Sequence, residues 1–254
     1  MKKLLLVSAL TMSSSAFSQQ PDGSRWGLGA GVVAMDRAYV GEDTRIRPVP
    51  LLSYEGERLF LRGITGGYHL FKTPEVSFDI IGSARLDRVN RGDFGFNQLA
   101  ARGIDRDWLE NRRDEFDAGL GFSWRGNLGE LQLRAVTDIT GTSKGQEVAL
   151  TYSHRLQLGL LTVTPLVGVS YYSNNLANYY YGTLDEEIAR GVVRYRPDAV
   201  AVPQVAINLA RPFGRHWVMM GGVRVLVLPD KLKDSPLIDS DTTTSVFLGL
   251  TYRF

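Results

Sequence analysis

The sequence predicts an all-β fold, a transmembrane antiparallel up-and-down β-barrel of about twelve strands. Three observations predict it. The chain opens with a cationic start and a short apolar run that reads as an export signal. No later segment is apolar for long enough to form a membrane helix of ~20 residues. The rest of the chain alternates apolar and polar residues with a period of two, and this pattern runs to the terminal Phe254.

Met1-Lys2-Lys3 precedes the apolar run Leu4-Leu5-Leu6-Val7-Ser8-Ala9-Leu10, and Ala16-Phe17-Ser18 supplies a small-x-small site. Residues 1–18 are therefore expected to be a signal peptide cut between Ser18 and Gln19, with 19–254 forming one barrel domain. An uncleaved anchor is the alternative, disfavoured by the shortness of the run. Cysteine is absent, which excludes a disulfide framework and any thiolate metal site. Of 29 Lys and Arg, Lys2 and Lys3 leave with the signal, so 27 basic residues face 27 acidic ones. That balance, with no basic block, points away from nucleic acid.

In the last strand Val246, Leu248, Leu250, Tyr252 and Phe254 share one face. Ser245, Gly249, Thr251 and Arg253 share the other, with Phe247 as an exception. One face suits lipid and the other a polar lumen. Tyr252 and Phe254 form the aromatic end expected of a strand read by the barrel-assembly machinery. Further ladders alternate in the same way. Phe78 and Ile80 oppose Asp79, Arg85 and Asp87, and Phe116, Leu120, Phe122 and Trp124 oppose Glu115 and Asp117. Leu131, Leu133 and Ile139 oppose Arg134 and Asp138, and Val148, Leu150 and Tyr152 oppose Glu147 and Arg155. Trp217, Met219, Val223, Val225 and Val227 form another apolar row.

Short turns are expected at 55–57, 72–75, 126–129, 157–160 and 211–215, and long polar loops at 36–45, 92–111, 174–198 and 229–241. Alternation of the two kinds requires a hairpin within 58–72, turning near Thr65-Gly66-Gly67, and a short external turn at 142–144. Twelve strands result, with ten as the alternative. Trp26, Trp124 and Trp217 then share the periplasmic rim, as an aromatic girdle requires. Pro165 and Pro203 fall inside two proposed strands and Pro48 and Pro50 near the start of another, where proline has no N–H to donate, so bulges or strand ends are expected there.

Three segments carry a family resemblance. They are Asn178-Tyr179-Tyr180-Tyr181-Gly182 with Glu187 and Tyr195-Arg196-Pro197, then Asp234-Ser235-Pro236-Leu237, and Leu99 to Arg102 leading into Arg112-Arg113-Asp114-Glu115. With the terminal Thr251-Tyr252-Arg253-Phe254 they resemble the MipA/OmpV family of outer-membrane proteins across the whole mature chain. Thr183-Leu184-Asp185 departs from the family, which more often has Val and a shorter acidic stretch there. The resemblance implies an outer-membrane scaffold linking a murein hydrolase to a murein synthase, or a surface adhesin for a host ligand. It carries over no catalytic residue and no cofactor.

The residues themselves offer no catalytic constellation. Ser153 and His154 are neighbours, so on a strand they face opposite sides. His69, His154 and His216 read as interfacial or lumen-lining histidines. The acidic runs Asp185-Glu186-Glu187 and Asp239-Ser240-Asp241 read as solvated loop charge, and the latter lacks the glycine and closing glutamate of a calcium loop. Gly27, Gly29 and Gly31 read as space inside a barrel rather than a nucleotide fingerprint. The expected lumen ladder is Asp79, Arg85, Asp87, Glu115, Asp117, Arg134, Asp138, Glu147, Arg155 and Arg253. Such mixed charge either cross-links a plugged lumen or lines a narrow pore. The expected functions are thus a scaffold or adhesin in contact with outer-membrane lipid, then a small-solute channel, then an outer-membrane hydrolase. None needs a metal or cofactor.

Overall fold

The computed structural model describes residues 25–254. The signal segment and its cleavage site lie outside the described residues. In chain order the strands are β1 (Trp26–Asp36), β2 (Arg45–Glu55), β3 (Leu59–Arg62), β4 (Thr65–Lys72) and β5 (Val76–Arg85). Then follow β6 (Glu115–Gly126), β7 (Gly129–Asp138), β8 (Gln146–Ser153), β9 (Leu156–Leu158) and β10 (Leu161–Tyr172). The last are β11 (Val200–Phe213), β12 (Trp217–Val227) and β13 (Thr242–Arg253). Each pairs antiparallel with its sequence neighbour, except that β8 and β9 both pair with β10. β1 pairs with β13, Gly31 opposite Gly249, and this closes the sheet into a barrel.

β8 and β9 are two halves of one crossing strand, so the barrel has twelve crossings. Proline explains the break. The His154 N–H donates to the Pro165 carbonyl at 3.1 Å. In an antiparallel ladder such a pair would exchange a second bond, from the N–H that Pro165 lacks. Pro203 lies opposite Val169, one residue before the first β11–β12 pair, Gln204 with Leu226.

The β3–β4 hairpin corrects an expectation. Its turn is at Gly63-Ile64, not at Thr65-Gly66-Gly67, which lie inside β4. Gly63 has φ of 63°, a left-handed conformation that glycine enters without steric cost. Two periplasmic turns are also tighter than expected. β9 runs to Leu158 and β11 to Phe213, leaving 159–160 and 214–216 as the turns.

The outward rows are apolar and exposed, among them Phe78, Ile80, Leu120, Phe122, Leu150, Leu248 and Leu250. Trp26, Trp124 and Trp217 are exposed at the strand ends that share the short turns. The inward face is not uniformly polar. Along β11-β12-β13-β1-β2 it carries a buried apolar cluster of Val33, Met35, Leu51, Ala210, Val218, Met220 and Phe247. From β4 to β10 the inward face instead buries His69, Asp79, Ser83, Glu115, Asp117, Glu130, Glu147 and Ser170. Phe247 breaks the alternation of β13 because it fills the apolar half, 2% exposed. Gly31 and Gly249 make room for it, since a Cβ on either would stand 2.7 or 2.6 Å from its ring.

Phe247→Ala should therefore lower barrel stability by about 3–5 kcal/mol. Leu248→Ala, which changes only a lipid-facing position, should cost less than about half of that. Denaturant unfolding in micelles, followed by heat-modified gel mobility, measures both.

Candidate functional site: a capped lumen

The four long connections fold into a cap over one barrel mouth. They carry α1 (Phe96–Ala101), α2 (Asn174–Tyr181), α3 (Asp185–Ala189) and α4 (Asp230–Lys233). Val40, Leu99, Ala177, Val202, Leu232 and Leu237 are wholly buried in its core. Backbone bonds stitch the loops together. Val40 N–H donates to Leu237 O at 3.0 Å, Gly95 N–H to Val40 O at 2.9 Å, and Asp239 N–H to Ala38 O at 2.8 Å. The Arg102 guanidinium donates to Ile238 O at 2.7 Å and Pro236 O at 3.1 Å. Arg37 donates to Arg88 O at 3.0 Å and pairs with Glu42 at 2.6 Å. Burial opposes its charge, but Glu42 and Tyr39 more than offset that and raise its pKa.

An ion pair locks the two largest loops. Arg112 is 1% exposed and Glu187 0%. Both guanidinium nitrogens of Arg112 meet both carboxylate oxygens of Glu187. Arg112 also donates to Tyr179 O, Glu110 O and Gly182 O at 3.0, 2.9 and 2.9 Å. Glu187 accepts the Glu110 and Leu184 N–H groups, each at 2.8 Å. A buried pair survives desolvation only when its remaining donors and acceptors are filled in this way.

The loop residues that carried the resemblance gather in this cap. The Tyr180 hydroxyl donates to Arg113 O at 3.0 Å, and the Tyr181 ring stacks on Tyr39. A Cβ on Gly182 would stand 2.7 Å from Asn178 O and 2.9 Å from Tyr195 O. The Tyr195 N–H donates to the Thr183 hydroxyl at 2.8 Å, and its own hydroxyl to Lys231 O at 3.2 Å. Asp234 ends α4, Ser235 Oγ accepts Leu237 N–H at 3.3 Å, and Pro236 O receives Arg102. In the divergent tripeptide, Asp185 pairs with Arg196 at 2.6 Å.

Below the cap, Arg85 stands 2.9 Å from Glu115, 2.9 Å from Asp117, 2.6 Å from Glu147 and 3.8 Å from Asp87. Arg134 is 3.9 Å from Asp117. Asp87 lies just beyond β5, not on it. Asp138 serves a different purpose from its ladder neighbours. Its carboxylate accepts the Thr140, Ser143 and Lys144 N–H groups at 2.8–2.9 Å and so shapes the 139–145 turn. Arg155 lies in the gap between β8 and β9, and the Arg253 carbonyl faces His216 Nδ1 at 3.0 Å. Tyr252 packs between Trp217 and Phe254.

The lumen holds cavities, two of them beside the charged wall. One of about 190 Å³ lies at the cap end, lined by Arg85, Asp117, Glu147, Tyr172 and Arg224. One of about 530 Å³ reaches the 73–75 turn and is lined by Phe60, Arg62, His69, Asp79 and Ser123. Gln132 and Arg134 line both. In the larger cavity His69 is held by Asp79 at 2.6 Å and Glu55 at 3.2 Å, one carboxylate on each ring nitrogen. That is the arrangement of a structural imidazole rather than of a base facing a hydroxyl. The spacing of Glu55, His69 and Asp79 gave no sequence signal, because a hairpin brings them together. Among the described residues no cluster of His, Asp and Glu is placed to hold a metal ion.

The model of the family described as MltA-interacting protein MipA matches residues 28–254. The chain belongs to the MipA family. The MltA-interacting protein of Escherichia coli K12 is 31% identical over 256 residues, covering 100% of this chain and 99% of the relative. The putative outer membrane protein YiaT of the same organism is 28% identical, covering 94% of each chain. The outer membrane protein OmpV of Vibrio cholerae is 25% identical over 66% of this chain and 67% of its own. Among solved structures, the NanC porin superposes with a TM-score of 0.50 at 7% identity, covering 89% of this chain and 100% of that one. That likeness concerns the fold alone. This MipA-family chain is thus an outer-membrane β-barrel; in such barrels the long loops are external and the short turns periplasmic.

Arg112→Ala leaves Glu187 buried without its partner and should destabilise the cap by about 3–5 kcal/mol. Proteinase K added to intact cells should then cut the 86–114 and 173–199 loops of the variant while sparing the wild type.

Proposed function

We propose that this barrel is a sealed interaction protein of the outer membrane rather than an open pore. The packed external cap carries this reading. Its core is apolar and its buried Arg112–Glu187 pair is fully bonded, so the cap resembles a small domain more than a mobile loop set. Whole-chain similarity to a protein named MltA-interacting supports a murein hydrolase as partner. Such a partner would reach the barrel from the periplasm, where the rim consists of short turns, Trp26, Trp124 and Trp217. Aromatic side chains at a rim suit an interface anchor. A murein synthase bridged by the same rim, or a host-surface ligand held by the cap, is a further form of this reading. Interaction, not catalysis, is the role proposed.

A second reading, a narrow solute channel, is favoured by one observation. The two lumen cavities meet at Gln132 and Arg134, so opening the cap would join them to the outside.

In planar bilayers the purified wild-type protein should give no discrete conductance steps across a range of voltages. Stable steps would transfer support to the channel. In cells, cross-linking should recover a lytic transglycosylase. Recovery of the assembly machinery alone would remove the scaffold.

A further inference from the structure

The barrel wall has an unpaired seam, and it lies in the external half. Perpendicular to the strands, Ser53 of β2 faces Arg62, Arg62 faces Thr65, and Thr65 faces Ser83 of β5. Above that line β2 continues for eight residues, to Arg45, while the β3–β4 hairpin has already turned at Gly63-Ile64. Gly63 N–H still reaches Leu52 O at 2.9 Å, and Ala84 N–H reaches Ile64 O at 3.2 Å. Beyond these, the backbone of residues 45–51 of β2 pairs, among the described strands, only with β1. Two missing strands leave three strand spacings, about 14 Å, between β2 and β5 at the hairpin turn.

Such an edge in hydrocarbon exposes costly polar groups. The positions of the prolines answer this. Leu52 O points towards β3, so the even-numbered residues of β2 turn their backbone groups to the seam. Glu55 N–H, odd-numbered, donates to Arg25 O on the opposite side, in keeping with that parity. Pro48 and Pro50 therefore place their missing N–H groups on the open edge. Between Ile46 and Pro50, Ile46 supplies the one N–H on that side. An edge with a single donor is a poor template for a strand from a second copy.

The surroundings are apolar on both sides of the wall. Ile46 is 70% exposed to the outside, beside exposed Pro48 and Pro50. Inside, Val49 packs on the apolar cluster that contains Leu51 and Phe247. One inward cation stands among them. Arg47 has no carboxylate in ion-pair contact among the described residues, and the acids whose charge reaches it, Asp93 and Asp114, are held by Arg45 and Arg88. The segment above is pinned, since the Arg88 carbonyl accepts from both Arg37 and Arg45.

We propose that this seam admits the acyl chain of a membrane lipid with an anionic headgroup, the chain resting on Val49 and Leu51 and the headgroup on Arg47. The seam is a lateral site, separate from the capped mouth. A sealed interaction barrel and a channel could both carry it, so its test does not depend on either.

The chain has no cysteine, so single labels are unambiguous. Full-length Val49→Cys, carrying a bimane label, is reconstituted in vesicles containing brominated phosphatidylglycerol or brominated phosphatidylcholine. Ala149→Cys, inward on the closed wall, and Leu150→Cys, outward to lipid, are the controls. Quenching at Val49 should reach at least half that at Leu150, while Ala149 stays near baseline. Should Val49→Cys fail to fold, Leu51→Cys takes its place. The glycerol lipid should quench more strongly than the choline lipid, and Arg47→Gln should abolish that preference. Quenching at Val49 no greater than at Ala149 overturns the site. Equal quenching by the two lipids overturns the headgroup assignment.

Discussion

A backbone that crosses hydrocarbon must bond every N–H and C=O to itself, and most features of this molecule follow from that constraint. It forces the pairing of β1 with β13, because an open sheet would leave two edges in lipid. It also explains where irregularity is allowed. The chain breaks between β8 and β9 opposite Pro165, where a donor is missing. It leaves the outer half of β2 unpaired where Pro48 and Pro50 have removed donors from the edge. Proline thus marks the places where the ladder is interrupted, and it keeps the N–H groups left on the open edge to a minimum.

Closure creates an interior, and the interior must then be filled. One wall is filled with apolar side chains around Phe247, the other with charges shared by Arg85. The cap follows the same logic at larger scale. Its loops bury an apolar core, and Arg112 with Glu187 satisfies the carbonyls and N–H groups that the short helices leave behind. The cavity beside His69 reaches the 73–75 turn at the opposite end from the cap.

The strands were legible in the sequence because a period of two leaves a mark on every residue. The outward rows and the rim tryptophans could be read directly. The prolines did not bring the expected bulges or strand ends, since all four sit inside continuous strands and the ladder shifts at His69 and Phe71 instead; what they mark is a break or open edge on the neighbouring side, which needed the register. The hairpin turn was misplaced by two residues, since Gly63, Gly66 and Gly67 are equivalent on paper and only one takes a positive φ. Phe247 read as an anomaly because alternation reports polarity, and an inward position can be apolar where the opposite wall is too. The cap was visible only as long polar loops. Its core residues are spread over four segments with no common period. Arg112 lies in a charged run, Arg112-Arg113-Asp114-Glu115, and nothing local sets it apart from its neighbours as the buried one.

The central claim is that the lumen is sealed from outside and open below. Ser123→Cys lies in the larger cavity, and Arg194→Cys on the external cap serves as the reference. Both are treated with a bulky membrane-impermeant maleimide, first in intact cells and then after the outer membrane is ruptured. The account predicts that Arg194→Cys reacts in both and Ser123→Cys only after rupture. Labelling of Ser123→Cys in intact cells, at a rate near that of Arg194→Cys, would contradict it.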